Sequence, residues 1–423
     1  MRVYKLQKYI IPGCLVLPMI SRWILPSGIE DRLYLSILGI SIFIPDLLYV
    51  FYISDHLLSN RPQRHISINR QRFLIVFSIV TLCYVYLQLA FKGIYYVNDL
   101  IINNLSFVWL SLLFLLFPMS KKQLLLTKPF MTIALLLICV EVIIFSLGLM
   151  VYTTAAGNDL QGQDYGGILR ISTTIGAATG TALILGLLSA VVLTVYNWRG
   201  RVRLMLMTIS TVGIFFTMSR GTSLVWSIFL CYYFYTNYIK YSSTKLKRKY
   251  TLIAVCCIGL FYLVGGFNPI LNRVEHMQDS VDATAGRDSK MDKSLRMVEM
   301  SAPWGYGLGQ VFPEKAIERT YKPPYLFAPH NGYALMAIEL GYVGIVLFII
   351  FVVFMMTGIN YKNSLGFYIW LVWLINNNTE SILLDSEAMA LLMFGIMSIT
   401  KYINPKGTKD SNEKKYLKSL QFE

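Results

Sequence analysis

Long, unbroken apolar runs alternate along the chain with short polar stretches. The runs fall near residues 9–26, 33–53, 73–91, 101–118, 130–152, 171–196, 204–218, 222–239, 251–267, 331–358, 365–377 and 388–403. A helix that crosses a bilayer needs about 20 consecutive apolar residues, so the pattern predicts an all-α integral membrane protein with about 12 transmembrane helices. Strands of an outer-membrane barrel would show alternating segments of about ten residues, whereas these runs are continuous and longer. The run at 204–218 is short and polar toward its end, and the one at 365–377 runs into Asn376, Asn377 and Asn378. At the N-terminus, MRVYKLQK leads into an apolar stretch that holds Pro12 and Pro18 and lacks a small-residue cleavage site. That predicts a retained first span rather than a removed signal peptide.

The polar stretches sort by charge. One alternate set is the N-terminus (Arg2, Lys5, Lys8), 54–72, 119–129, 197–203 (Arg199, Arg201, Arg203), 240–250, Lys362 and the tail after Lys401. That set holds about 25 of the 38 Lys and Arg residues, which by the positive-inside rule puts both termini in the cytoplasm. Composition agrees: 55% of residues are hydrophobic and 14% charged, against about 25% charged in soluble domains. The net charge of +15 is therefore topological. No basic stretch is interleaved with stacking aromatics, so nucleic acid is not a predicted partner. All six cysteines lie in apolar runs, which predicts neither disulfides nor a metal site.

The resulting organisation is nine spans with short loops over 1–267, a large outer loop over 268–329 between spans 9 and 10, three spans over 330–403, and a cytoplasmic tail over 404–423. A second outer segment, 153–170, is Gly-rich and polar without helical periodicity. The large loop carries about eight acidic and eight basic residues. Within it Met291, Leu295, Val298 and Ala302 recur at helical spacing. This predicts an amphipathic helix over 288–302, ended by Pro303 and the turn Gly305-Tyr306-Gly307-Leu308-Gly309. With no strand before it and no helix after it, that glycine run fails as a dinucleotide fingerprint.

Charges at a membrane edge are expensive and therefore informative. Arg220, in MSRGTSLVW, sits at the outward end of two apolar runs, where it either caps a helix end or binds an anion; Gly221 beside it permits close backbone approach. Arg170 is a second lone outward arginine, before RISTTIGAATGTA, a run that serves either helix packing or phosphate binding. Arg287 stands near the start of the loop helix. His330 opens the tenth span in APHNGYALMAIELGYVG, and Glu339 lies deeper in the same run. In a regular helix the nine residues between them turn Glu339 about 180° away from His330 and toward the Asn331 side. Asp46 and Glu141 are single carboxylates within spans, either structural or proton-relaying. Glu380, Asp385 and Glu387 read as a solvated outer loop.

In that order, SRG, GRDSKMDK with PWGYGLG, and HNGYALMAIELGYVG make the chain resemble the O-antigen polymerase/O-antigen ligase family of bacterial envelope glycosyltransferases. The residues that carry the likeness are Arg220; Arg287, Gly305, Gly307 and Gly309; and His330, Asn331, Tyr333, Glu339, Gly341 and Gly344. Arg170 and the segment after it are similar to that family's earlier outward arginine.

The resemblance implies a GT-C-like helical fold in the bacterial inner membrane with a periplasmic active site and neither metal nor cofactor. The implied reaction transfers a glycan from undecaprenyl diphosphate to an acceptor hydroxyl, with inversion. Arg170, Arg220 and Arg287 would bind the diphosphate, and His330 with Arg220 would be catalytic. Asn331, Tyr333, Glu339 and Gly221 would support them. Implied partners are an undecaprenyl-diphosphate-linked oligosaccharide, membrane lipid and a chain-length regulator protein. The modest loop favours a polymerase acting on a lipid-linked repeat unit. The alternatives are a ligase acting on lipid A-core, and a flippase or transporter of lipid-linked oligosaccharide that uses Asp46 and Glu141.

Overall fold

The computed structural model describes residues 34–37, 40–43, 68–92, 121–146, 163–164, 169–170, 178–196, 198–217, 219–235, 287–308, 331–356 and 374–375. The runs expected at 9–26, 101–118, 251–267 and 388–403 lie outside these residues, as do Asp46, His330, Glu380, Asp385 and Glu387.

The described residues form α1 (Ile68–Lys92), α2 (Lys121–Ser146), α3 (Ala178–Val195), α4 (Gly200–Phe216), α5 (Arg220–Phe234), α6 (Arg287–Ser301) and α7 (Gly332–Met356). Among them, Leu126–Ser146 and Gly332–Phe354 are long and apolar enough to cross a membrane. Two short antiparallel ribbons join them. Tyr34–Ile37 (β1) pairs with Ile40–Phe43 (β2), and Gln163–Asp164 (β3) pairs with Leu169–Arg170 (β4). The remainder of the span expected over 33–53 lies outside the described residues, but over 34–37 and 40–43 the first ribbon replaces the helix expected there. Its register leaves only Leu38 and Gly39 between two strands that carry the β-branched Ile37, Ile40 and Ile42. A glycine in a two-residue connection favours a hairpin over a helix.

α3 is apolar around its whole circumference, so it can be stable only when covered on every side. Residues from Ala182 to Leu193 are buried, with α2, α4 and α5 packed against the helix. Gly213 of α4 permits close approach: a Cβ there would lie 3.0 Å from Leu185 Cδ2 and 3.2 Å from Cys139 Sγ. On α5, Trp226, Phe229 and Tyr233 stack with centroids 4.9 and 5.6 Å apart. The Trp226 indole donates to Thr211 Oγ1 (3.1 Å), and Tyr233 Oη donates to the Leu193 carbonyl (3.3 Å).

One end of this bundle is basic. Lys128 Nζ lies 3.9 Å over the Trp198 ring, Trp198 Nε1 donates to the Val192 carbonyl at 2.9 Å, and the Thr127 and Tyr196 hydroxyls are 2.5 Å apart. These contacts join the start of α2 to the end of α3 and to Trp198, which precedes Arg199, Arg201 and Arg203 in the chain. Residues 121–129, read from sequence as loop, are already helical.

α1 packs against the second half of α7 through Phe73–Phe354 (4.4 Å) and Phe77–Phe351 (6.0 Å), so the two run antiparallel. Their outward faces expose Val76, Ile79, Tyr86, Phe91, Val346, Ile349 and Val353. A surface of that kind suits lipid; in water it would be an aggregation patch.

Candidate active site

Two structures carry the residues singled out by sequence. The first is the α4–α5 hairpin. α4 closes on Thr217, whose backbone N–H reaches the Gly213 and Ile214 carbonyls and whose Oγ1 donates to Ile214 O at 2.6 Å. Ser219 is the N-cap of α5, but its hydroxyl donates to Thr222 Oγ1 (3.4 Å) instead of capping the helix, and its N–H donates to Thr217 Oγ1 (3.4 Å). Arg220 is the first helical residue, followed by half-buried Gly221. Three buried hydroxyls thus fix a tight reversal with an arginine at its tip. The 17 residues of α4 span about 25 Å, so this tip is remote from Arg199, Arg201 and Arg203. If the basic end is cytoplasmic, Arg220 belongs to the outer face.

The second structure is an elbow in α7. Gly341 has φ 66° and ψ −166° and divides the segment into limbs 332–340 and 342–356. The Tyr333 and Phe348 rings lie 5.9 Å apart, whereas fifteen residues of straight helix cover about 22 Å. The limbs therefore fold toward each other, and the N-terminus of α7 lies beside the middle of the second limb. This corrects the single regular span expected over 331–358.

The turn after α6 fills the elbow. In an unbroken helix the Tyr342 N–H would donate to the Ile338 carbonyl. Here Tyr342 N donates to Pro303 O (2.9 Å) while Tyr306 N donates to Ile338 O (2.9 Å) and Gly307 N to Glu339 O (2.9 Å). Two helix ends meet at Gly341, and their orphan groups are taken up by the turn, as buried backbone requires. The fit leaves no room for side chains. A Cβ on Gly305 would strike the Glu339 carbonyl, and one on Gly341, already at positive φ, would strike the Pro303 carbonyl. Gly305 and Gly341 are thus glycines of close approach in one joint.

α1 completes the joint from outside. The Tyr84 hydroxyl shares its one proton between Leu340 O (2.6 Å) and Trp304 O (2.9 Å). Buried Gln88 donates through Nε2 to Glu339 O (2.6 Å) and to Trp304 O. The sequence reading missed both residues; a glutamine within an apolar run was the available signal.

α6 spans Arg287–Ser301, within one residue of the expected 288–302. Its inward face differs. Ser294, Met297 and Ser301 are buried, while Leu295 is 50% exposed. The buried row keeps the helical spacing but sets serines on either side of Met297, and this face packs against α7.

The remaining candidates fall as follows. Arg287 is the first residue of α6, and Arg170 ends the β3–β4 ribbon opposite Gln163. Asn331 is the N-cap of α7: its Oδ1 accepts from Tyr333 N (2.9 Å) and Ala334 N (3.0 Å). Tyr333 Oη donates to Leu374 O at 2.7 Å. Glu339 and Glu141 are buried. These hydrogen bonds and ring contacts join α6, the turn, α7 and α1 into one unit; Arg220 belongs to the α4–α5 hairpin, and Arg170 to the ribbon.

A family model described as O-antigen ligase matches residues 205–349, from α4 through the elbow of α7. That stretch is similar to the family, in agreement with the resemblance drawn from its motifs and with a role in polysaccharide synthesis. A search of curated proteins found no match.

Proposed function

We propose that the chain is a glycan polymerase of the outer face of the bacterial inner membrane. It transfers a glycan from undecaprenyl diphosphate to the acceptor sugar of a lipid-linked repeat unit. The observation that carries this reading is the polarity of the two structures. The arginine tip of α4–α5 and the elbow both lie at helix ends remote from the basic clusters, Arg199–Arg203 in one case and Arg70 and Arg72 of α1 in the other. Both also fall within the stretch similar to O-antigen ligase.

The chemistry follows from the residue types. The acceptor hydroxyl oxygen attacks the anomeric carbon, the bond to the diphosphate oxygen breaks, and its electron pair leaves with the diphosphate. Arg220, Arg170 and Arg287 suit the growing negative charge, because guanidinium stays protonated and binds phosphate oxygens bidentately. His330, next to the Asn331 cap, takes the hydroxyl proton; histidine titrates near neutral pH and suits that role. Attack opposite the leaving group inverts the anomeric centre.

The lipopolysaccharide pattern of a deletion strain tests this reading. A polymerase leaves a single repeat unit on the core. The description of the matched family favours a second reading, a ligase. In that case the core is bare and lipid-linked polymer accumulates. A strain with unaltered polymer overturns both.

A further inference from the structure

The contacts of α1 with the elbow come from outside the stretch similar to the ligase family, and nothing in the proposed chemistry uses them. Tyr84 and Gln88 sit one helical turn apart, on one face of α1, and both aim at backbone, not at side chains. Between them they donate to the carbonyls of Trp304, Glu339 and Leu340. The Glu339 and Leu340 carbonyls are the last two of the first limb of α7, and the Trp304 carbonyl belongs to the turn that fills the elbow. A helix cannot satisfy its own last carbonyls. The turn supplies one donor to Glu339 and one to Ile338, and α1 supplies the donors that tie Leu340 and the turn itself to the bundle. The same helix is anchored to the second limb by Phe73 and Phe77. α1 therefore grips the second limb, the elbow and the turn at once.

We propose that Tyr84 and Gln88 are positioning residues for glycan transfer. They fix the angle between the limbs of α7 and the seat of the α6 turn, and so fix where the two N-termini, Asn331 (the residue after His330 in the chain) and Arg287, stand relative to the bundle. The inference rests on the proposed function. Its physical basis is that the first limb is short, nine residues over 332–340, and is folded back at a glycine, whose backbone imposes no angle of its own. The angle must be set by outside contacts, and α1 supplies two to the first limb, at Glu339 O and Leu340 O, and two to the turn, at Trp304 O.

The test uses the full-length protein reconstituted in liposomes with the strain's own undecaprenyl-diphosphate-linked repeat unit. The variants are Gln88→Met, which keeps size and removes both donated bonds, and Tyr84→Phe, which removes only the hydroxyl. Tyr86→Phe, on the exposed face of the same helix, is the control. Loss of alignment without loss of binding lowers kcat by about 10- to 100-fold for Gln88→Met and about 3- to 10-fold for Tyr84→Phe. KM for the lipid-linked unit changes less than about twofold, and Tyr86→Phe behaves as wild type. A merely structural role would lower the amount of folded protein and leave kcat per folded molecule unchanged; that result overturns the proposal. If Gln88→Met does not fold, the milder Tyr84→Phe decides. If neither folds, the contacts serve assembly and the proposal fails. Arg220→Ala and His330→Ala separate the two levels. Polymer lost in these but not in the α1 variants sinks the positioning role alone, whereas polymer retained in all four sinks the glycosyltransfer reading.

Discussion

By length and composition alone, α2 and α7 are the described segments apolar enough to cross a membrane. They treat their helix breakers in opposite ways, and α7, divided at Gly341, is not one continuous rod. α2 contains Pro129 in its interior and runs on from Lys121 to Ser146. α7 contains no proline between Gly332 and Met356, yet it folds back at Gly341. Proline removes one donor and crowds one carbonyl, a local defect that a helix can absorb. A reversal, by contrast, exposes several carbonyls and N–H groups together, and in an apolar setting these must find partners within the protein. The turn at 303–307 and the side chains of Tyr84 and Gln88 supply them. The break in α7 is thus a property of the joint, and the glycine only permits it.

That contrast can be broken in three ways. Gly341→Ala should have the largest effect. It places a side chain at φ 66° and ψ −166°, a region open essentially to glycine, and against the Pro303 carbonyl. The expected loss is about 3–5 kcal/mol, seen as little folded protein recovered from membranes. A wild-type yield and thermal midpoint would mean that the elbow is not populated. Asn331→Ala comes next. It removes the acceptor for Tyr333 N and Ala334 N and should cost about 1 kcal/mol, read as a small drop in thermal midpoint in detergent. Asn331→Asp should recover it, since aspartate also caps. The smallest effect is expected for Pro129→Ala, within about 1 kcal/mol of wild type. A large gain in the same melting experiment would show that α2 is strained at its proline after all.

The two regions also differ in how far they could be read from the sequence. The α4–α5 hairpin was legible because its determinants are local: apolar runs on both sides and a Ser-Arg-Gly junction between them. The loop helix was legible for the same reason, since Pro303 and the glycines after it stop α6 within a residue of the expected end. Its inward face was not. Leu295 reads as a core residue by hydrophobicity, but the buried face carries Ser294, Met297 and Ser301 instead. The elbow was invisible because Gly341 alone disfavours a helix by only about 1 kcal/mol. What decides the matter is a backbone segment some forty residues upstream and two side chains more than 250 positions away. The start of the run at 33–53 differed by the opposite route: its apolar content argued for a span, while 34–37 and 40–43, rich in isoleucine, pair as strands. Arg170, Arg220 and Arg287 could be proposed from residue type and position in the chain, but convergence on one diphosphate would be a tertiary property, which local sequence does not encode; the described contacts leave the three on separate elements.

The most direct measurement is undecaprenyl diphosphate release by the purified, reconstituted protein, comparing wild type with Arg220→Ala, Arg220→Lys and His330→Ala. The account predicts release with wild type and loss of about a thousandfold with Arg220→Ala and His330→Ala. Arg220→Lys should recover little, because an ammonium cannot make the bidentate contact. Release at the wild-type rate from Arg220→Ala or His330→Ala would contradict it.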